Sequence, residues 1–319
     1  MAVVLCGDSA RHVLEGLKRT KFKEAQPIDA DDVVFESLAW EKARDLSLSV
    51  WGEPGLAADV LVRKHHDRKK GQSLTYHTWT GTVPNHSLVQ LEDGTIVTTP
   101  WFELLLNARK MSMVQLSRRI MELTSIFEFE KNSEDGFVEA QPLVDRDFLE
   151  SYVLQAKGIM GVSFIRDALA WSPPKARSPR EIDLTLPLTL PKRLKGCGLP
   201  IPELNHEVSL DGATKRMIGQ DQVFIDLYWK ALDANHRNAG AEYLGKKRHD
   251  NIGKELTRAN GLALEGIDVQ LVANEQLKDA KQLLLIAKRI AESIGFRPFR
   301  CGWPSEAELQ GLIDEVLGA

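Results

Sequence analysis

Hydrophobic and polar positions change their period several times along this chain. Val13, Leu14 and Leu17 recur at helical spacing behind Asp8 and Ser9, which predicts a helix over residues 9–18. Short apolar runs over 57–62, 74–79 and 87–91 predict strands, and Asp93-Gly94 ahead of residues 95–98 predicts a hairpin turn. Thr99 followed by Pro100 opens a helix over 101–109, and a second amphipathic helix covers 113–123. Residues 128–144 turn acidic and contain Gly136, which predicts a loop; helices follow over 147–155 and 162–170. Pro173-Pro174 marks residues 171–177 as a linker.

The second half has a plainer order. Ser178-Pro179-Arg180-Glu181 predicts a capping box with Pro at the first helical position, opening a helix that Pro187 or Pro191 must kink or end. Residues 206–210 and 222–229 predict strands, joined through Asp211-Gly212 and a connection holding Lys215 and Arg216. A third strand over 239–243 follows a polar turn, and residues 250–265 put Ile252, Leu256, Ala259, Leu262 and Ala263 on one helical face before Gly266. A strand over 269–272 and a helix over 276–294 complete the order α-β-β-β-α-β-α. The fold class expected is α/β (α+β). A mixed α/β domain would occupy 1–171, a second domain 178–295 and a helical extension 296–319.

Composition narrows the class. With 319 residues, 43% hydrophobic and 27% charged, the chain is long enough for about two domains and excludes disordered, collagenous and disulfide-scaffold classes. A net charge of −4 means that any nucleic-acid contact must come from a local basic patch. Cys6, Cys197 and Cys301 lie far apart without metal spacing, which predicts free thiols in a reducing compartment. No apolar run reaches membrane-spanning length and none at the start resembles a signal peptide, so a cytoplasmic protein without membrane contact is expected. The tryptophans share no spacing and are expected in cores.

One pair of residues carries chemistry. Asp226 interrupts an apolar strand, and burying a carboxylate there is costly unless it is paired or binds a metal. If strands 222–229 and 239–243 form an antiparallel hairpin, Glu242 falls opposite Asp226 and the turn centres on Ala234. Two hard oxygen donors facing one point suit Mg²⁺ or Mn²⁺. Lys246, Lys247, Arg248 and His249 follow and would add positive charge for a phosphate backbone, or form a solvated turn. Glu181 is accounted for by its capping box. Upstream, Lys64, Arg68, Lys69 and Lys70, with Arg63, His65 and His66, form the densest basic patch, a candidate nucleic-acid contact.

The order of elements, with Asp226-Leu227-Tyr228-Trp229, Glu242-Tyr243-Leu244-Gly245, Glu255, Arg258, Gly266, Val269, Val272 and Gln276-Leu277, resembles the PD-(D/E)XK nuclease superfamily. It resembles most the branch related to very-short-patch-repair endonucleases found in bacterial abortive-infection, antitoxin-like proteins. The resemblance spans roughly residues 178–295 and implies a restriction-endonuclease-like α-β-β-β-α-β core. It further implies Asp226 and Glu242 as metal ligands and catalytic residues, Glu181 lining the site, and Lys247 or His249 supplying charge stabilisation. Leu244 stands where that branch carries an Asp, and Arg248 stands at its usual His position. The function expected is a metal-dependent endonuclease acting on DNA, in DNA processing or phage defence. The alternative is a non-catalytic regulator of an abortive-infection or toxin-antitoxin system that binds nucleic acid or a partner protein.

Overall fold

Residues 1–111 with 143–166 form one folding unit, and residues 112–142 with 167–319 form another. The computed structural model describes residues 3–15, 17–33, 35, 40–52, 56–64, 67–68, 73–244, 252–298 and 302–318. Both units are mixed α/β. The seam expected at Pro173-Pro174 lies inside the second unit, where Ala176 is buried and its carbonyl accepts from Ile126 N.

In the first unit, numbered along the chain, β1 (Val4–Leu5), α1 (Gly7–Glu15), α2 (Arg19–Glu24), β2 (Gln26–Ile28) and α3 (Trp40–Trp51) precede the predicted strands. Those strands are β3 (Ala58–Val62), β4 (Leu74–Thr78), β5 (Leu88–Gln90) and β6 (Ile96–Thr98), followed by α4 (Pro100–Asn107). They form one mixed sheet in the order β2-β5-β6-β1-β3-β4. The Asp93-Gly94 turn joins β5 to β6 as the sequence predicts, with Gly94 at φ +85°. Strand β1 has only two residues and carries no periodicity, so the sequence conceals it. It nevertheless lies mid-sheet, parallel to β6 and antiparallel to β3. The start of α1 is held from inside. Gly7 N donates to Glu103 Oε1 (3.0 Å) and Asp59 N to Ser9 Oγ (2.7 Å), while His77 Nε2 lies 2.8 Å from Asp59 Oδ1. Helix α6 (Arg146–Gln155) belongs to this unit, and the division between the units falls within α7 (Val162–Ala170).

The second unit begins with α5 (Met113–Leu123) and the hairpin β7 (Phe127–Phe129) and β8 (Phe137–Glu139), which lies in the stretch expected as an acidic loop. Phe127 stacks edge-on against Phe129 and Phe137, and this aromatic cluster orders a segment that is otherwise polar. Next come α8 (Pro179–Thr189), β9 (Glu203–Ser209), α9 (Gly212–Ile218), β10 (Gln222–Trp229), β11 (Asn238–Leu244), α10 (Ile252–Leu264) and β12 (Ile267–Ala273). The chain ends in α11 (Asn274–Leu277), α12 (Ala280–Ile294) and α13 (Glu306–Leu317). The connection that holds Lys215 and Arg216 is thus a short helix, capped by Asp211 and stopped at Gly219 in the left-handed region. The helix expected over 276–294 is broken at Asp279, whose side chain caps α12.

Strands run β12-β11-β10-β9; β9, β10 and β11 are antiparallel in turn, and β12 is parallel to β11. Helices α8 and α12 cover one face, with α5 and α13 packed behind α8, and α10 contacts β12 and α9 on the other. The expected C-terminal extension is therefore part of this core, since Leu309, Leu312, Ile313 and Val316 of α13 are buried in it. Cys6 and Cys197 are buried free thiols in their respective units, and burial pushes both up. Trp229 is buried with Nε1 donating to Pro200 O at 2.7 Å. Cys301 lies outside the described residues.

Two glycines in the second unit give opposite expectations. A Cβ on Gly196 would stand 2.0 Å from the Leu190 carbonyl oxygen, whereas one on Gly311, in the middle of α13, would meet nothing within 4 Å. Gly196→Ala is expected to lower the urea midpoint, at a cost of about 3 kcal/mol. Gly311→Ala is expected to raise it, by up to about 1 kcal/mol, through helix propensity.

Candidate functional site

The first turn of α8 sets the position of Glu181. Ser178 caps the helix, its Oγ accepting from Glu181 N at 3.2 Å, which is half of the predicted capping box. The other half differs, because the Glu181 carboxylate reaches past the cap. Oε2 accepts from Arg177 N (2.9 Å) and from Asn205 Nδ2 of β9 (2.8 Å), and Oε1 accepts from the Ser178 hydroxyl (3.0 Å). Glu181 is almost fully buried. Burial, with the Asp226 carboxylate as the next cause, pushes its pKa up to about 8 despite these three donors.

Asp226 reaches this place through a break in the sheet. Strands β9 and β10 keep one register from Gln222↔Ser209 to Tyr228↔Glu203, but the ladder skips Asn205 and Asp226. Before the break, Val223 and Ile225 face the α10 core; after it, Leu227 and Trp229 face the α8 core and Tyr228 faces α10. Alternation in an unbroken strand would keep Ile225 and Leu227 on one face. Here the alternation slips by one residue between Ile225 and Leu227, at Asp226. Asn205, opposite, has φ +53°. Asp226 Oδ2 accepts from Tyr243 N at 2.9 Å, so the carboxylate also ties β10 to β11.

Strand β11 supplies Glu242. The pairs Leu227↔Ala241, Tyr228↔Gly240 and Trp229↔Ala239, continued by one step, set Glu242 opposite Asp226, which is the hairpin register expected from the sequence. Alternation along β11 puts Ala239 and Ala241 in the α8 core and Gly240 against Ile225 and Val269. Glu242 accordingly leaves the sheet toward α10, where Arg258 meets it. Arg258 Nη2 lies 2.8 Å and Nε 3.2 Å from Glu242 Oε1, and Nη2 also donates to Phe224 O. Glu242 is 1% exposed and the Arg258 side chain 23%. Glu181 on α8 thus feels the charge of Asp226, which is bonded to Tyr243 N in the sheet, while Glu242 is engaged by Arg258 from α10.

The remaining candidates are spread more widely. Lys246, Lys247, Arg248 and His249 lie outside the described residues, as do Lys69 and Lys70. Lys64 and Arg68 are exposed in the first unit, and Arg68 Nε donates to Thr78 Oγ1 at 2.7 Å. Two residues escaped the sequence reading. Asn205 gave no signal, because an Asn in a short polar-apolar strand looks ordinary. Arg177 stacks on the half-exposed Phe224 ring at 5.4 Å and reaches Glu139 at 3.3 Å, placing a guanidinium beside the start of α8.

Among the described residues, no group of three or more His, Cys, Asp or Glu side chains is arranged to hold a metal ion. Glu181 and Asp226 are oxygen donors of the kind that Mg²⁺ takes, one or two carboxylates with its remaining positions left to water and phosphate oxygens. No helix among the described residues is long and apolar enough to cross a membrane. Comparison with protein-family models, with curated proteins and with solved structures finds no match for this chain.

Two outcomes are expected here. Glu181 keeps its proton in the folded state up to about pH 8, against an ordinary value of 4.5 in the unfolded chain. Stability in metal-free buffer should therefore fall as pH rises between those values, and Glu181→Gln should flatten the slope in urea unfolding followed across that window. Arg258→Ala takes the guanidinium from a buried carboxylate and is expected to cost about 3 kcal/mol or more by the same measurement. Glu242→Gln in the same chain should recover part of that loss.

Proposed function

We propose that the second unit is a nuclease-like domain that hydrolyses phosphodiester bonds of nucleic acid with the help of Mg²⁺ or Mn²⁺. What carries this reading is a buried carboxylate, Glu181 at the start of α8, that feels the charge of a second, Asp226, set at a break in the β9–β10 ladder. Support also comes from the element order α8-β9-α9-β10-β11-α10-β12 with β12 parallel to β11, which, apart from the short helix α9, follows the order of the restriction-endonuclease-like core that the sequence resembles. A bound divalent cation supplies Lewis-acid polarisation of the phosphate and a more acidic water. Glu181 and Asp226 would hold the cation, and Asn205, Ser178 and Arg177 N fix the direction of the Glu181 carboxylate. Arg177 offers a positive charge at the rim for a phosphate oxygen. DNA is the preferred substrate class, and phage defence or DNA processing the setting that the resemblance implies.

A second reading rests on Glu242. Its ion pair with Arg258 occupies a carboxylate that the family's chemistry uses, and Leu244 replaces an acidic neighbour. That combination favours a regulator that has kept the fold and binds nucleic acid, or a partner protein of a defence system, without cleaving.

One assay separates the two. Supercoiled plasmid and single-stranded DNA incubated with the full chain and Mg²⁺ or Mn²⁺ should be cut, and Asp226→Ala should reduce the rate at least about 100-fold. Cleavage that survives Asp226→Ala overturns the assignment of the site. Salt-dependent binding without any cleavage supports the regulator.

A further inference from the structure

We propose that Asn205 is the positioning residue of the Glu181–Asp226 site, a role that rests on the cation-binding reading above. Its backbone lies in the left-handed region, φ +53°, within β9. Such a conformation is uncommon for a residue other than glycine and is strained, although Asn tolerates it better than most. Regular pairing with Asp226 would not require it.

The conformation accomplishes two things. It removes Asn205 and Asp226 from the ladder together, so that Leu204 and Asn205 both face α8 while the partner strand changes face between Ile225 and Leu227. It also aims the side-chain amide at two acceptors. Nδ2 donates to Lys175 O at 2.8 Å and to Glu181 Oε2 at 2.8 Å, committing both of its hydrogens. Lys175 is itself left-handed, at φ +68°, and its N donates to Thr124 O at 2.9 Å. The Glu181 carboxylate is thus referenced to the backbone at two points outside its own helix, and the same residue that orients it opens the strand for Asp226. Asn205 itself would touch no cation; it directs the Glu181 carboxylate and shares with Asp226 the gap in the ladder.

Mn²⁺ binding to the full chain, followed by calorimetry, tests the assignment without reference to cleavage. Asn205→Gly keeps the left-handed backbone and loses the amide. It is expected to weaken Mn²⁺ binding roughly tenfold, the loss of one hydrogen bond to a charged group, while circular dichroism shows the fold retained. In the unaltered protein, the Asn205 side-chain amide resonances should shift on titration with Mg²⁺, a readout that survives even if the glycine variant fails to fold. Wild-type binding that Asp226→Ala abolishes but Asn205→Gly leaves unchanged, or amide resonances that do not move, would overturn the role of Asn205 and leave the cation site standing. A wild-type chain that binds no Mn²⁺ at millimolar concentration overturns the cation reading and the role of Asn205 with it.

Discussion

Helix α8 has no solvent side along Glu181 to Thr189, and the second unit is organised around satisfying it. A helix buried all round must find partners for every polar group it carries, because an unpaired one costs several kcal/mol. Thr185 and Thr189 return their hydroxyls to Glu181 O and Thr185 O. Asp183 is bracketed by Arg118 at 2.6 Å and Arg180 at 3.0 Å, and Arg118 also donates to Val316 O, which draws α5 and α13 onto the helix. Glu181 is the residue for which local partners do not suffice. Its donors come from Ser178 and Arg177 before the helix and from Asn205 across the sheet, and even these leave it raised by burial and by Asp226.

Much of this was legible in the sequence, for reasons that differ by element. Strand β10 was readable to the residue, because Val223 to Trp229 is a continuous apolar run with one carboxylate. Helix α8 was readable only through its cap. Ile182, Leu184, Leu186, Leu188 and Leu190 alternate with Asp183, Thr185, Pro187 and Thr189 in the period of a strand, and the pattern fits a helix only when all of its sides are covered. The hairpin β7–β8 hid among acidic residues because its cohesion comes from aromatic contacts, not from alternation. Strand β1 was too short to show a period, and the order of the first unit's sheet left no trace in the sequence.

The site was half legible. The hairpin register could be counted from Asp226, the turn and Glu242, and the observed pairs agree with that count. The count assumes that a strand alternates without interruption. The lost ladder pair between Asn205 and Asp226 shifts the faces of everything after it, and a single Asn with no special spacing gives no warning of such a break. The partner of Glu242 was similarly out of reach, since Arg258 lies sixteen residues on and meets it only through the packing of α10.

The interrupted path of the chain has a consequence for how this protein is made. The second unit takes residues 112–142 before the first unit has received residues 143–166. Helix α5 is therefore synthesised well before its partners in α13: the Ser112 hydroxyl donates to Glu315, and Arg118 to the carbonyl of Val316. Until α13 is made, Val114 and Met121 of α5 wait without Leu309, Leu312, Ile313 and Val316, which close the same core. The second unit thus closes only once α13 has been made, and a change in that helix would be felt at α5, some two hundred residues earlier.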